Sequence, residues 1–333
     1  MTTADSLQTA ARGFVRDYHA LREQVKRVIV GQEQVLDGVL TCLFVGGHCL
    51  LEGVPGLGKT LLVRTLAQAM SLEFSRIQFT PDLMPADILG TTMIVENDDG
   101  RRSLEFRKGP IFTQVLLADE INRATPKTQS ALLETMQEAS VTIGGTTHRL
   151  QLPFFVLATQ NPIEQEGTYP LPEAQLDRFF FKVLADYPTK TELHAVLDRT
   201  TRGGQETVTP VLDGPRIIEM QRLVRDVIIA PHVQDFAVRL VLATQPQGEH
   251  AGEAAKQWLR YGCGPRGAQA LVLAAKVKAL LHERFNVSFE DLRSMALPAL
   301  RHRILLNFEA QAEGVDPDRV LRELLEKLPQ TEK

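Results

Sequence analysis

Residues 53–60 read Gly53-Val54-Pro55-Gly56-Leu57-Gly58-Lys59-Thr60, and the rest of the chain is interpreted around them. The stretch fits G-x-x-x-x-G-K-[ST], the loop that wraps nucleotide phosphates. Gly53, Gly56 and Gly58 let the backbone turn tightly and aim its N–H groups inward at an anion. Lys59 brings a point charge for the β- and γ-phosphates, and the Thr60 hydroxyl can ligate Mg2+. The intervening Val54, Pro55 and Leu57, with Leu61 just beyond, are expected beside the same nucleotide. Upstream, His48-Cys49-Leu50-Leu51-Glu52 is short and apolar like a buried strand, and downstream Leu61 to Met70 is rich in helix formers. That order sets phosphate at a helix N-terminus, which separates the motif from an ordinary glycine-rich turn.

The chain has 333 residues, enough for two domains that each bury a core. Hydrophobic residues are 44% and charged residues 23%, as in a soluble globular protein. With 37 basic and 41 acidic residues the net charge is −4, which gives no overall attraction to nucleic acid or anionic membrane. Cys42, Cys49 and Cys263 are few, odd in number and without metal-ligand spacing, so buried thiols in a reducing compartment are expected. No secretory leader pattern opens the chain, and no run approaches the roughly 18 apolar residues of a membrane span. A cytoplasmic protein without membrane insertion is the expectation.

Ser6 to Val28 and Gln32 to Val45 read as helices. Strands are expected over Cys49–Glu52, Phe74–Phe79, Val115–Asp119, Phe154–Thr159 and Phe179–Leu184. Helices are expected over Lys59–Met70, Lys127–Glu138 and Glu173–Arg178. Near-continuous apolar strands between helices imply an α/β fold, a parallel sheet flanked by helices. Two segments interrupt it. Thr91 to Arg107 carries the turn Asn97-Asp98-Asp99-Gly100, and Val141 to Leu152 carries Gly144-Gly145, so both read as β-hairpins. From the residues alone these are ordinary surface hairpins or functional inserts. Strand signals fade after Pro188, and Arg202-Gly203-Gly204-Gln205 reads as a loop. The expected division is an α/β nucleotide-binding domain over 1–189 and a smaller all-helical lid domain over 190–333.

Val115-Leu116-Leu117-Ala118-Asp119-Glu120 is a buried strand that ends in two acids. Asp119 is placed to hold Mg2+ through water beside Thr60. Glu120 is placed to polarise a water for in-line attack on the γ-phosphate. A strand ending in solvated acids is the plainer alternative, and the upstream loop decides against it. Leu157 to Pro162 is a second apolar strand with a polar end. There Asn161 either meets the γ-phosphate and attacking water or simply opens an Asn-Pro turn.

The order of these motifs resembles the AAA+ ATPases, and the wording resembles their MoxR group, within the helix-2-insert clade. The resemblance is carried by Val30-Gly31-Gln32, Gly53 to Thr60, Gln78-Phe79-Thr80-Pro81-Asp82-Leu83-Met84-Pro85, Asp119-Glu120-Ile121-Asn122-Arg123, Ala158 to Pro162 and Leu171 to Phe179, over roughly residues 28 to 185. In the second domain it is carried by Gly264-Pro265-Arg266. It implies ATP or ADP as ligand, with Val30 and Gly31 lining the adenine pocket and Asn161 as the sensor-1 residue. Arg178 would be an arginine finger for a neighbouring subunit, against a surface Arg capping a short helix. Arg266 would be sensor 2, reading phosphate from the lid of its own chain, against a loop Arg in a glycine-rich turn. Arg123 either meets the neighbouring subunit or is a solvated loop residue. The two hairpins match the helix-2 and pre-sensor-1 inserts of the clade.

The activity so implied is Mg2+-dependent ATP hydrolysis in a homo-oligomeric ring, a hexamer, that remodels or matures a protein client. A von Willebrand factor A domain protein is the implied partner. Two other readings stand beside it: a motor on nucleic acid, and a nucleotide-switched binding module with little turnover. Mild acidity and hairpins without interleaved aromatics speak against the first, although Arg101, Arg102, Arg107 and Lys108 keep it open. Glu120 and Arg178 speak against the second. No histidine pair shows ligand spacing. Trp258 and Tyr261, three apart, read as helical lid packing, and Leu321, Leu324, Leu325 and Leu328 read as a helix docked on the lid.

Overall fold

The computed structural model describes residues 3–54, 56–96, 102–162, 167–201 and 206–330, with side-chain surroundings from residue 8 onward. Pro55, the expected turn at 97–100, Arg101 and the expected loop at 202–205 lie outside the described residues.

The chain begins with α1 (Thr3–Val28) and α2 (Glu33–Val45), then forms β1 (Cys49–Gly53) and α3 (Lys59–Ala69). Next come β2 (Phe74–Gln78), the short α4 (Pro85–Leu89) and a ribbon of β3 (Gly90–Glu96) with β4 (Arg102–Lys108). Then follow β5 (Val115–Asp119), α5 (Pro126–Glu138), a second ribbon of β6 (Ser140–Ile143) with β7 (Thr146–Arg149), and β8 (Phe155–Gln160). A short α6 (Glu173–Leu176) leads into β9 (Phe181–Ala185). The remainder is α7 (Lys190–Thr201), α8 (Gly214–Asp226), α9 (Pro231–Ala243), α10 (Glu253–Trp258), β10 (Leu259–Tyr261), α11 (Pro265–Leu281), α12 (Phe289–Leu300), β11 (Leu305–Leu306), α13 (Phe308–Ala312) and α14 (Pro317–Lys327).

Five strands form a parallel sheet in the order β2-β5-β8-β1-β9. Its central strands are buried on both faces, so they are apolar without a break, and successive side chains go to opposite layers. Leu50, Leu116, Ala118, Val156 and Ala158 join a core with Leu132, Leu133 and Met136 of α5. Cys49, Leu51, Val115, Leu117, Phe155 and Leu157 join the other core, with α1, α2 and α3. That second core runs on without a break into α8 to α12 and α14, so the lid helices share apolar volume with one face of the sheet. Leu117 is fully buried in it. Leu117→Ala is expected to cost about 2–5 kcal/mol through lost transfer energy and a residual cavity.

Both hairpins form where the turn signals put them. β3 pairs antiparallel with β4 from Gly90 with Lys108 to Glu96 with Arg102. β6 pairs with β7, closed by Gly144 and Gly145 at φ of 59° and 82°, the left-handed pair that a tight hairpin turn needs. Elsewhere the boundaries differ from expectation. The short helix α6 stops at Leu176, and β9 starts only at Phe181, because Arg178 and Phe179 close a turn onto Gln175 and Leu176. Helical lid packing holds for Trp258 but not for Tyr261. The chain extends at Leu259 to pair with Leu306, which buries Trp258 and leaves Tyr261 60% exposed. The apolar stripe of α14 docks as expected, burying Val320, Leu321, Leu324 and Leu325 against α10 and α12. Among the described residues, no helix is long and apolar enough to cross a membrane.

Candidate active site

The loop of residues 53–60 leaves the C-terminal end of β1. Gly53 sits so close to β9 that an added Cβ would lie 2.8 Å from the Ala185 Cβ, which excludes any larger residue. Gly56 and Gly58 have φ of 86° and 74°, and an added Cβ would meet nothing within 4 Å at either. The two glycines therefore line an open, left-handed cradle that suits a phosphate group. Gly58 is the N-cap of α3, so the loop's N–H groups share the positive end of that helix. Thr60 is half-buried in the first turn, Val54 and Leu57 are half-buried, and Leu61 is exposed.

The Lys59 ammonium donates to the Gly53 carbonyl at 2.5 Å. Partial burial holds its pKa below the usual lysine value, while Asp119, Glu120 and Glu52 pull it the other way. The three carboxylates thus share a field with Lys59. Gly31, at φ of 66°, is covered by the Glu192 carboxylate, and Gln32 Nε2 donates to the Leu57 carbonyl at 3.0 Å. The Val30–Gln32 turn is thereby tied both to the phosphate loop and to α7.

Asp119 ends β5, and Glu120 follows with φ of 57°, a left-handed geometry rare for a non-glycine. The Glu120 amide donates to Thr159 Oγ1 at 2.8 Å, and that hydroxyl donates to Asp119 Oδ1 at 2.6 Å. On the other side Arg76 donates to Asp119 Oδ2 at 2.8 Å, and Gln78 Nε2 donates to Glu120 Oε2 at 2.7 Å. Arg123 Nη1 donates to the same Glu120 oxygen at 2.9 Å. Arg123 is thus a partner of Glu120 inside this chain. Asn161 is buried just past the end of β8, the strand between β5 and β1. It therefore comes out between the acids and the phosphate loop. Thr159, Arg76 and Gln78 were not singled out from sequence. Thr159 is a polar residue in a largely apolar strand, β2 around Arg76 and Gln78 is mostly polar, and the further signal for Gln78 and Thr159 is that each lies in a stretch that carries the family resemblance.

Arg178 and Arg266 lie elsewhere. The register pairs Cys49 with Phe181 and Gly53 with Ala185, so residues just before Phe181 sit at the N-terminal edge of the sheet. The phosphate loop sits at the opposite edge, about 13 Å away along β1 at 3.3 Å per residue. Arg266, at the start of α11, reaches Asp177 at 3.7 Å, and both arginines line one cavity of about 250 Å³ with His48 and Gln137. Asp177 is gripped from behind by the buried Arg303 at 2.8 Å, which also donates to the carbonyls of Phe179 and Phe180. The implied role of Arg266, reading phosphate held by its own chain, does not fit this position. The two arginines therefore lie on one edge of the sheet, with the phosphate loop and the acids on the other.

The loop, the acid pair and the polar end of β8 at one rim of a parallel sheet define a P-loop ATPase of the AAA class. Residues 48–181 match the ATPase family associated with various cellular activities, and residues 252–324 match the AAA lid domain. Protein YeaC of Bacillus subtilis is 44% identical over 317 residues, covering 94% of this chain and 95% of YeaC. The chaperone MoxR1 of Mycobacterium tuberculosis is 41% identical, covering 96% of this chain and 85% of MoxR1. A crystal structure from Cytophaga hutchinsonii, of a chain named there as an ATPase candidate, superimposes with a TM-score of 0.91 at 41% identity and full coverage of both. The chain belongs to the MoxR family of AAA ATPases.

Proposed function

We propose that this protein hydrolyses ATP to ADP and phosphate in a ring of identical chains, a hexamer, and uses the cycle to remodel or mature a protein client. The observation that carries the reading is the split site, with phosphate loop and acids at one rim of the sheet and Arg178 with Arg266 at the other. In this reading the hinge lies near residue 189, between a nucleotide-binding core and a lid from 190 onward.

The open cradle at Gly56 and Gly58 and the acid-and-hydroxyl donor set of Asp119 and Thr60 fit a magnesium nucleotide. Mg2+, when bound, would neutralise phosphate charge, held by Thr60 and by Asp119 through water. Lys59 would release the Gly53 carbonyl and turn to the phosphates. Val30 and Gly31 would hold the adenine, with Val54, Pro55, Leu57 and Leu61 around the nucleotide. Glu120 would take the proton of the attacking water once its bonds to Gln78 and Arg123 open, and Asn161 would orient that water. Arg178 of the adjacent chain would supply the guanidinium that stabilises charge developing on the γ-phosphate, with Arg266 beside it.

The client is read as protein from the β3–β4 ribbon. Met93, Ile94, Val95 and Leu104 are exposed on it, and apolar side chains in water suit a protein surface. Phe106 is stacked on His148 of the second ribbon at 4.2 Å, so it is used for packing rather than offered to a base. MoxR1 is named a chaperone, and a von Willebrand factor A domain protein is the partner we propose for this chain. The test is phosphate release by wild type and by Glu120→Gln, with assembly followed by light scattering. The reading predicts Mg2+-dependent turnover by a ring, and about 10²–10⁴-fold less by the variant at unchanged nucleotide affinity. Wild-type turnover no faster than the variant's, with and without client, would contradict it and favour a nucleotide switch. Stimulation by DNA would favour the motor.

A further inference from the structure

The turn that follows α12 sends three consecutive side chains onto the segment that carries Arg178. Arg301 Nη1 donates to the Lys182 carbonyl at 3.2 Å, and His302 Nε2 faces the Phe179 carbonyl at 3.0 Å. Arg303 donates from Nε to Asp177 Oδ1 at 2.8 Å, from Nη2 to the Phe179 carbonyl at 2.7 Å and from Nη1 to the Phe180 carbonyl at 3.0 Å. All three residues lie in the lid. The core holds the same turn by the buried Phe179 ring and by the Phe180 N–H, which donates to the His48 carbonyl at 2.8 Å. The lid supplies donors to its carbonyls and to its carboxylate.

Three acceptors set in different directions need a planar fork, and a lysine would bring its donors to one point. The Arg303 side chain is only 3% exposed. Its stem passes the first turn of α11 so closely that a Cβ on Gly267 would lie 3.3 Å from Arg303 Cδ. The guanidinium also donates to the Ala299 carbonyl of α12. It is therefore fixed in the lid with no room to swing. Asp177, held at Oδ1, presents Oδ2 to Arg266 at 3.7 Å. One buried cation thereby sets the turn from which Arg178 projects and the carboxylate that Arg266 meets.

We propose that Arg303 is a positioning residue for hydrolysis on the neighbouring chain. It acts through Asp177 and the turn at 177–180 on the two arginines that this chain lends its neighbour. A group displaced by about 1 Å can lose on the order of a hundredfold in rate. Loosening the fork at Arg303 therefore slows the neighbour's turnover, while the variant chain's own phosphate loop and acids stay intact at the opposite rim. This rests on the reading of Arg178 as a finger that acts between chains.

The test uses Arg303→Lys, which keeps the cation but not the fork. Asp177→Asn removes the same ion pair from its more exposed end and carries the test if the first variant does not fold. Each alone should hydrolyse ATP about ten- to a hundredfold more slowly than wild type, with ADP affinity within about twofold. Each is then mixed at equal ratio with Glu120→Gln and, separately, with Arg178→Ala, and phosphate release is measured once mixed assembly is confirmed. Mixing with Glu120→Gln should restore activity, because the variant chain's own site is intact and the Glu120→Gln chain lends working arginines. Mixing with Arg178→Ala should restore none, because no chain then lends a working pair. A residue that merely supports its own chain's nucleotide site gives the reverse pattern. Unchanged turnover of the variants alone, recovery with Arg178→Ala, or no recovery with Glu120→Gln overturns the proposal. Glu120→Gln mixed with Arg178→Ala is the control. If that pair recovers, the split site stands whatever Arg303 does, and if it does not, both readings fall.

Discussion

Thr159 and Asp119 are joined by a 2.6 Å hydrogen bond whose donor, the Thr159 hydroxyl, also takes the amide N–H of Glu120. One fully buried side chain therefore aims the expected metal acid and fixes the left-handed backbone of the expected water acid. Thr159→Val keeps the shape and deletes both bonds. It leaves the Glu120 N–H unpaired, a loss of about 1–3 kcal/mol. Turnover should drop about tenfold to hundredfold with ATP-analogue affinity nearly unchanged, while Thr159→Ser should stay close to wild type. Equal rates for Val and Ser variants would show that the hydroxyl aims nothing.

The Arg303–Asp177 pair locks the turn that presents Arg178. Arg303 is almost wholly buried, with its pKa held below the usual arginine value by that burial. Arg303→Met removes the buried donor shared by Asp177 and the Phe179 and Phe180 carbonyls, leaving Asp177 with Arg266 at 3.7 Å and the Phe179 carbonyl with His302. Since Asp177 keeps some solvent contact, the expected loss of unfolding free energy is about 2–4 kcal/mol, below that of a fully buried pair. Urea denaturation measures it, and a change under about 0.5 kcal/mol would mean Arg303 is not the anchor.

His48 makes folding pH-dependent. Its Nε2 faces the Met136 carbonyl at 2.9 Å and its Nδ1 accepts the Val156 amide at 3.1 Å, so the ring is held neutral. Burial lowers its pKa to about 4 from 6.5. Between those values the unfolded chain binds the proton and the folded one resists it. Stability from this group is therefore full above about pH 6.5, falls as pH drops towards 4 and levels off below. The expected loss is about 3 kcal/mol. His48→Gln cannot take up that proton, so its stability should fall less over this range. Parallel curves for the two proteins would remove His48 as the cause.

Much of this could be read from the chain, and the reason is local. Gly53 to Thr60 and Asp119-Glu120 carry their chemistry at fixed spacing within one segment, so no fold is needed to see them. Arg76, Gln78 and Thr159 act through strand register. Gln78 meets Asp119 only because β2 pairs with β5, and Thr159 reaches Asp119 only because β8 pairs with β5. Neither pairing is between strands adjacent along the chain, so nothing in the sequence displays the contact. Arg266 was legible as a residue but not as a position, because tertiary bonds around Asp177 decide which rim the start of α11 meets.

The shared site is tested most directly by mixing inactive variants at equal ratio, with mixed assembly confirmed, and measuring phosphate release. Glu120→Gln with Arg178→Ala should recover activity, because some interfaces pair an intact acid with an intact finger. Arg178→Ala with Arg266→Ala should not recover, since both arginines reach the neighbour from the same rim of one chain and every interface then lacks one of them. Recovery in that second mixture would mean that Arg266 serves its own chain's nucleotide and would contradict the split site drawn here.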